Sequence, residues 1–220
     1  MPSSRCTAIP MVIETIRELS PASILDVGTG FGKWGVLFRE YTDILASESD
    51  PPRYQRDNWK VRIDGIEGFQ NYLTDLHRYV YNTVHVGDMR QVISGLPTYD
   101  VIYLGDVIEH IDKPEGLQFL EECLRHAGKA VLVVTPADNP PQGSICGKEL
   151  ENHRSCWTAD DFRPIDNAHV VLAAWNEILA VVLKPGIPVP ECIRFAKMSR
   201  LERRWRRMKR MVGRRIGLVT

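Results

Sequence analysis

The stretch ILDVGTGFGKWG, from Ile24 to Gly35, places four glycines (Gly28, Gly30, Gly32 and Gly35) within eight residues, directly behind a short apolar run. Glycine is entropically costly in ordered backbone, but it permits positive φ and close approach of main chain to a ligand. Three nucleotide motifs compete for the segment. A Walker A loop needs GxxxxGK followed by Ser or Thr. Counting back from Gly32 and Lys33 puts Val27 at the first glycine position and Trp34 where the hydroxyl should stand, so that motif fails twice. A dinucleotide fingerprint GxGxxG can be written through Gly30, Gly32 and Gly35, but its first glycine should directly follow the strand. Here the strand ends near Val27 and Gly28 takes that place. What remains is Asp26-x-Gly28-x-Gly30-x-Gly32.

Outward from this turn, short runs rich in β-branched residues alternate with helical segments. The predicted strands are 23–27, 61–67, 83–87, 100–106 and 129–135. An opening helix over 7–19 carries Ile9, Val12, Ile13, Ile16 and Leu19 at helical spacing and stops at Ser20-Pro21; further helices are predicted over 33–41, 72–81 and 114–126. Strands that alternate with helices form a parallel sheet covered on both faces. Two more strands, 168–175 and 177–184, are joined too tightly for anything but an antiparallel hairpin. In TADDF (158–162), Thr158 is a plausible N-cap with Asp161 three residues on. Residues 42–60 show no period and read as an insertion of loop and short helix.

The motif together with downstream acids resembles the class I S-adenosylmethionine-dependent methyltransferases, over roughly Ile9 to Lys184. The resemblance implies a Rossmann-like α/β fold with a seven-stranded, mostly parallel sheet whose last strand is inserted antiparallel. It also implies S-adenosylmethionine as cofactor. Gly28, Gly30 and Gly32 would pass under its methionine part, with Asp26 orienting the amino acid group. Glu67, ending the strand VRIDGIE, would accept both ribose hydroxyls, because one carboxylate can serve a vicinal diol. Asp88 would lie near the adenine amino group, with Met89 beside the ring; a helix N-cap needs the same residue type as Asp88 at the same place. Glu67 is 41 positions beyond Asp26, against about 20 in related folds, and Glu48 is nearer that spacing. Glu67 is preferred because its segment is the better strand.

Ligands in open parallel sheets lie beyond the carboxyl ends of the strands. The fourth strand runs into GDVIEHIDKPEG, which looks like the corresponding segment of family members acting on small molecules and lacks the [DN]PPY signature of enzymes that methylate exocyclic amines. Asp106 would shape the cofactor floor and Glu109 the substrate pocket. His110 is a candidate general base, since imidazole titrates near neutrality. Its alternative is a packed or capping histidine. In GKELENHRSCW, His153 is a second candidate base and Trp157, four residues on, a wall of the acceptor pocket. Glu109, His110 and His153 could make up a metal set, but no single segment has zinc-binding spacing, so no metal is assigned.

With 220 residues, 44% hydrophobic and 25% charged, the chain is sized for one globular domain. The five cysteines, odd in number and never spaced as CxxC, speak against a disulfide framework or a zinc ribbon. No apolar run reaches the roughly 20 residues that span a bilayer, and the first ten residues lack the features of a secretory signal, so a cytoplasmic protein is expected. The net charge of zero hides an asymmetry: from Lys197 onward there are ten Lys plus Arg and one acid, so the tail is about +9 and the body about −9. Residues 1–196 are thus read as the catalytic domain and 197–220 as a basic tail. Met198, Leu201, Trp205, Met208 and Val212 give that tail one apolar stripe, suited to an anionic membrane surface over 198–216. Docking on an acidic protein surface is a rival, and nucleic acid is disfavoured. The expected function is methyl transfer to a hydroxyl, carboxyl or amine of a small molecule or glycan intermediate. Alternatives are a non-catalytic protein that keeps the cofactor fold and, disfavoured by glycine register, an NAD(P)-dependent reductase.

Overall fold

The computed structural model describes residues 6–137, 152–173 and 176–197. Its helices are α1 (Ile9–Leu19), α2 (Lys33–Arg39), α3 (Asp75–Val80), α4 (Met89–Val92), α5 (Lys113–His126), α6 (Ala159–Phe162) and α7 (Glu191–Lys197). Seven strands, β1 (Ser23–Val27), β2 (Arg62–Glu67), β3 (Thr83–Val86), β4 (Tyr99–Gly105), β5 (Ala127–Pro136), β6 (Ala168–Ala173) and β7 (Glu177–Leu183), form one sheet of order β3-β2-β1-β4-β5-β7-β6. Only β7 runs antiparallel to its neighbours β5 and β6. The expected fold class is therefore observed.

Burial on both faces explains why the strands read as nearly unbroken apolar runs. Alternate residues feed two separate cores. Ile24, Val101, Tyr103, Leu132 and Val134 pack with Val12, Ile16 and Ile193 of α1 and α7. Leu25, Ile102, Leu104, Val131 and Val133 pack on the other face with Phe119 and Leu120 of α5 and Phe162 of α6. The helix α1 ends where Ser20 turns left-handed (φ 44°) ahead of Pro21.

The helices depart from expectation in two places. The helix predicted over 72–81 begins only at Asp75, because Thr74 caps it: its hydroxyl takes the N3 backbone while His77 returns a ring nitrogen to the Thr74 N–H. The insertion 42–60 folds as a π turn and 3₁₀ turns around buried Asp43. That carboxylate pairs with Arg39 at 2.6 Å and Arg53 at 2.5 Å and accepts from the Lys60 N–H at 2.8 Å. Arg39 in turn lies 4.2 Å over the Trp59 ring. No helix among the described residues is long and apolar enough to cross a membrane.

Register positions the site. Val27 lies opposite Ile66 of β2 and Leu104 of β4, so Gly28, Glu67 and Gly105 emerge side by side at one sheet edge. Gly105 lies opposite Val134, and Pro136 opposite Glu177, which extends the edge across β5 and β7. Between β1 and β4 the strand order reverses, and such a switch point opens a crevice.

Candidate active site

The turn after β1 is bare main chain in left-handed conformation: Gly28, Gly30 and Gly32 have φ of 77°, 53° and 91°. At Gly28 a Cβ would also stand 2.5 Å from Val107 Cγ2, so glycine is required there twice over. Gly28 and Thr29 both donate their N–H groups to the Ile66 carbonyl, at 2.8 and 3.1 Å, which ties the turn to β2. His77 props it from below. Its Nδ1 accepts from the Thr74 N–H, so Nε2 carries the hydrogen donated to the Gly30 carbonyl at 3.0 Å.

Glu67 is buried at the end of β2 and faces this turn. Its Oε2 accepts from the Gly30 N–H (2.8 Å) and Thr29 Oγ1 (3.2 Å), and Oε1 from the Phe69 N–H (2.9 Å). Three of about four acceptor positions of the carboxylate are thus in use. Bidentate acceptance of a diol therefore requires the glycine turn to release one of them. Glu48, the alternative acid, lies instead in a 3₁₀ turn (Leu45–Glu48) and ends no strand.

Asp26 is 1% exposed. Tyr81 donates its hydroxyl to Oδ2 at 2.5 Å, while buried Oδ1 has no partner among the described residues. Burial pushes this carboxyl up to about 7; the Tyr81 hydrogen bond and Lys33 pull against the rise, and the Glu67 charge adds to it. An orphaned buried oxygen beside a glycine cradle suits the ammonium of an amino acid moiety, so the residues present fit the expected cofactor. Asp88 caps α4, accepting from the Arg90 N–H at 2.9 Å and pairing with its guanidinium at 2.6 Å. The capping alternative is thus the local role the structure gives it, and partly buried Met89 packs on the second core. Asp106, next along the edge, holds a left-handed φ of 52°.

Beyond β4 the structure brings together what the sequence left apart. The His110 and His153 rings have centroids 4.9 Å apart, and His110 Nδ1 is 3.2 Å from the Asn152 carbonyl. Glu109 lies buried between them and the sheet, accepting from Thr135 Oγ1 at 3.0 Å. Burial first, then the Asp106 charge, raises its carboxyl to about 8. The segment carrying His153 is pinned by main chain: Arg154 and Ser155 donate N–H groups to the Glu109 carbonyl at 2.8 and 3.1 Å.

Trp157 corrects an expectation. It is no pocket wall but fully buried, its indole N–H shared between the Ile108 carbonyl (3.2 Å) and Ser155 Oγ (2.9 Å), its ring beside Phe162 and over Gly116. The spacing of four from His153 carries no meaning here, because residues 152–157 are not helical. Thr29, His77, Tyr81 and Thr135 went unnoticed in the sequence. Only His77 had a local signal, at the third residue after a capping threonine.

Sheet order, inserted antiparallel strand and glycine turn are together those of the class I S-adenosylmethionine-dependent methyltransferases. Residues 8–169 match the methyltransferase domain family, and the chain belongs to that family of S-adenosylmethionine-dependent enzymes. No curated protein sequence matches it. Among solved structures it is similar to a magnesium protoporphyrin IX methyltransferase from Synechocystis with bound SAH, at 10% identity and TM-score 0.53 over 80% of this chain and 82% of that one. It is also similar to a plantazolicin methyltransferase in complex with a triazolic substrate analogue and SAH, at 12% identity and TM-score 0.53 over 81% and 85%. A third likeness is to the N-terminal domain of EvdMO1 in the presence of SAH and D-fucose, at 11% identity and TM-score 0.53 over 82% and 83%. At such identities the likeness shows the fold. Family membership supports an S-adenosylmethionine-dependent methyltransferase and decides against the nicotinamide alternative.

Proposed function

We propose that the protein methylates a hydroxyl of a small molecule or glycan intermediate, within the wider expectation of a hydroxyl, carboxyl or amine. One observation carries the choice: His110 and His153 meet beside Glu109 at the edge where β4 ends. The cofactor supplies a methyl group already activated as a sulfonium, so the protein contributes positioning and removal of a proton. A carboxylate acceptor needs no such removal, whereas a hydroxyl does. The acceptor oxygen attacks the methyl carbon in line with the departing sulfur while the imidazole pair assists loss of its proton. The small-molecule acceptors of the similar structures support the size class.

The test is release of S-adenosylhomocysteine with acceptor panels sorted by hydroxyl, carboxyl and amine, on wild type and His110→Ala. Turnover confined to hydroxyl acceptors and reduced by about 10²–10⁴ in the variant is expected. Turnover of amines alone would contradict the proposal.

The basic tail, whose residues 198–220 lie outside the described residues, is proposed to hold the enzyme against anionic lipid as a peripheral cytoplasmic protein. Its ten Lys plus Arg and the apolar stripe around Trp205 support this. Flotation with anionic vesicles should recover the full chain and not one ending at residue 197. Equal recovery of the two would refute it.

A further inference from the structure

We propose that Glu109, His110 and His153 form a binding site for one divalent first-row transition-metal cation at the acceptor side of the crevice. One donor atom from each side chain lies within 4.8 Å of the other two. Donors on a tetrahedral ion stand roughly 3.4 Å apart at ordinary bond lengths, so small imidazole rotations close the set. Two imidazoles and one carboxylate on one side of an ion leave positions open for other ligands.

Two further features point to a cation there. Glu109 is 1% exposed, and while Oε2 takes the Thr135 hydroxyl, Oε1 has no partner among the described residues. A buried carboxylate oxygen left so is costly unless something positive meets it. The Asn152 carbonyl sits 3.2 Å from His110 Nδ1, and as an acceptor it fixes the hydrogen on that nitrogen and leaves Nε2 its lone pair. Metal-bound histidines are oriented in this way by outer partners. The site is also built in advance. The bonds from Arg154 and Ser155 to the Glu109 carbonyl, and from the Trp157 indole to the Ile108 carbonyl, hold both contributing segments together.

The cation would do the work assigned above to the imidazole pair, and to that extent the inference rests on the proposed hydroxyl acceptor. An acceptor oxygen bound at an open position loses its proton to solvent more readily. Its electron pair then forms the O–CH₃ bond, the S–CH₃ bond breaks, and that pair stays on sulfur as S-adenosylhomocysteine. With the ion bound, the two histidines assist that proton loss as its ligands.

The experiment titrates Co²⁺ and Zn²⁺ separately into chelator-treated full chain, with stoichiometry from elemental analysis and affinity from calorimetry. One ion per chain is expected, with affinity at least 100-fold weaker in the His110→Ala/His153→Ala double variant. No stoichiometric binding, or equal affinity in wild type and variant, would overturn the site. X-ray absorption of the cobalt-loaded wild type needs no variant: two imidazoles and no sulfur in the coordination sphere are expected, and a sphere without imidazole overturns it. S-adenosylhomocysteine binding by the same wild type separates the two readings. Cofactor bound without metal removes this inference alone, and metal bound without cofactor removes the cofactor site alone.

Discussion

Lowering the pH should weaken cofactor binding through Asp26. Its carboxyl, raised by burial to about 7, is largely ionised at pH 8.5 and largely protonated at pH 5.5. If the ionised form is what holds the cofactor ammonium, the dissociation constant rises about tenfold per pH unit below 7. From pH 8.5 to 5.5 the loss is about thirtyfold, or about 2 kcal/mol. The groups facing Asp26 make the shift testable. Tyr81 and Lys33 pull its pKa down, Glu67 pushes it up, and desolvation exceeds them all. Tyr81→Phe removes the 2.5 Å hydrogen bond and should move the midpoint to higher pH. His77, whose own pKa burial lowers, stays neutral through the upper part of this range. Calorimetric titration with S-adenosylhomocysteine at half-unit pH steps reads the profile. A flat profile, or tighter binding at pH 5.5, would refute the reasoning.

The same carboxyl should make the cofactor-free protein less heat-stable as pH rises. Its folded pKa lies above the ordinary 3.8, so its stabilising contribution is complete below about 4 and lost by about 7; since lowered His77 and His153 act in the opposite sense over part of this window, the difference in Tm between wild type and Asp26→Asn against pH is the readout. Gly28→Ala should abolish S-adenosylhomocysteine binding and cost about 2–4 kcal/mol in denaturant unfolding, from left-handed backbone and a 2.5 Å encounter with Val107; wild-type affinity would be the contrary result. Trp157→Ala should cost about 3–5 kcal/mol, as befits a core residue; a change under about 1 kcal/mol would return it to the pocket rim. Asp43→Asn, which leaves buried Arg39 without its 2.6 Å partner, should cost about 3–5 kcal/mol by the same measurement.

The strands were legible because a parallel sheet covered on both faces needs nearly continuous apolar runs, and Val101–Leu104 and Val131–Val134 are such runs. The glycine turn was legible because positive φ leaves its mark in residue choice at Gly28, Gly30 and Gly32. Glu67 followed from the strand it ends. Contacts made across the fold leave no such mark. Tyr81 reaches Asp26 from 55 positions away, and nothing in its neighbours announces a hydroxyl aimed at a carboxylate. Periodicity locates a side chain only inside a regular element, and Trp157 lies in a segment held instead by the Arg154 and Ser155 N–H groups on the Glu109 carbonyl and by its own indole N–H on the Ile108 carbonyl. His110 and His153 were each visible singly; their meeting depends on that same unpatterned segment.

The most direct measurement is calorimetric titration of the full chain with S-adenosylhomocysteine beside NADH, repeated on Glu67→Ala. One equivalent of S-adenosylhomocysteine bound by wild type, lost in the variant, with no NADH binding, is predicted. Binding of NADH alone would contradict the glycine turn's assignment to a sulfonium cofactor.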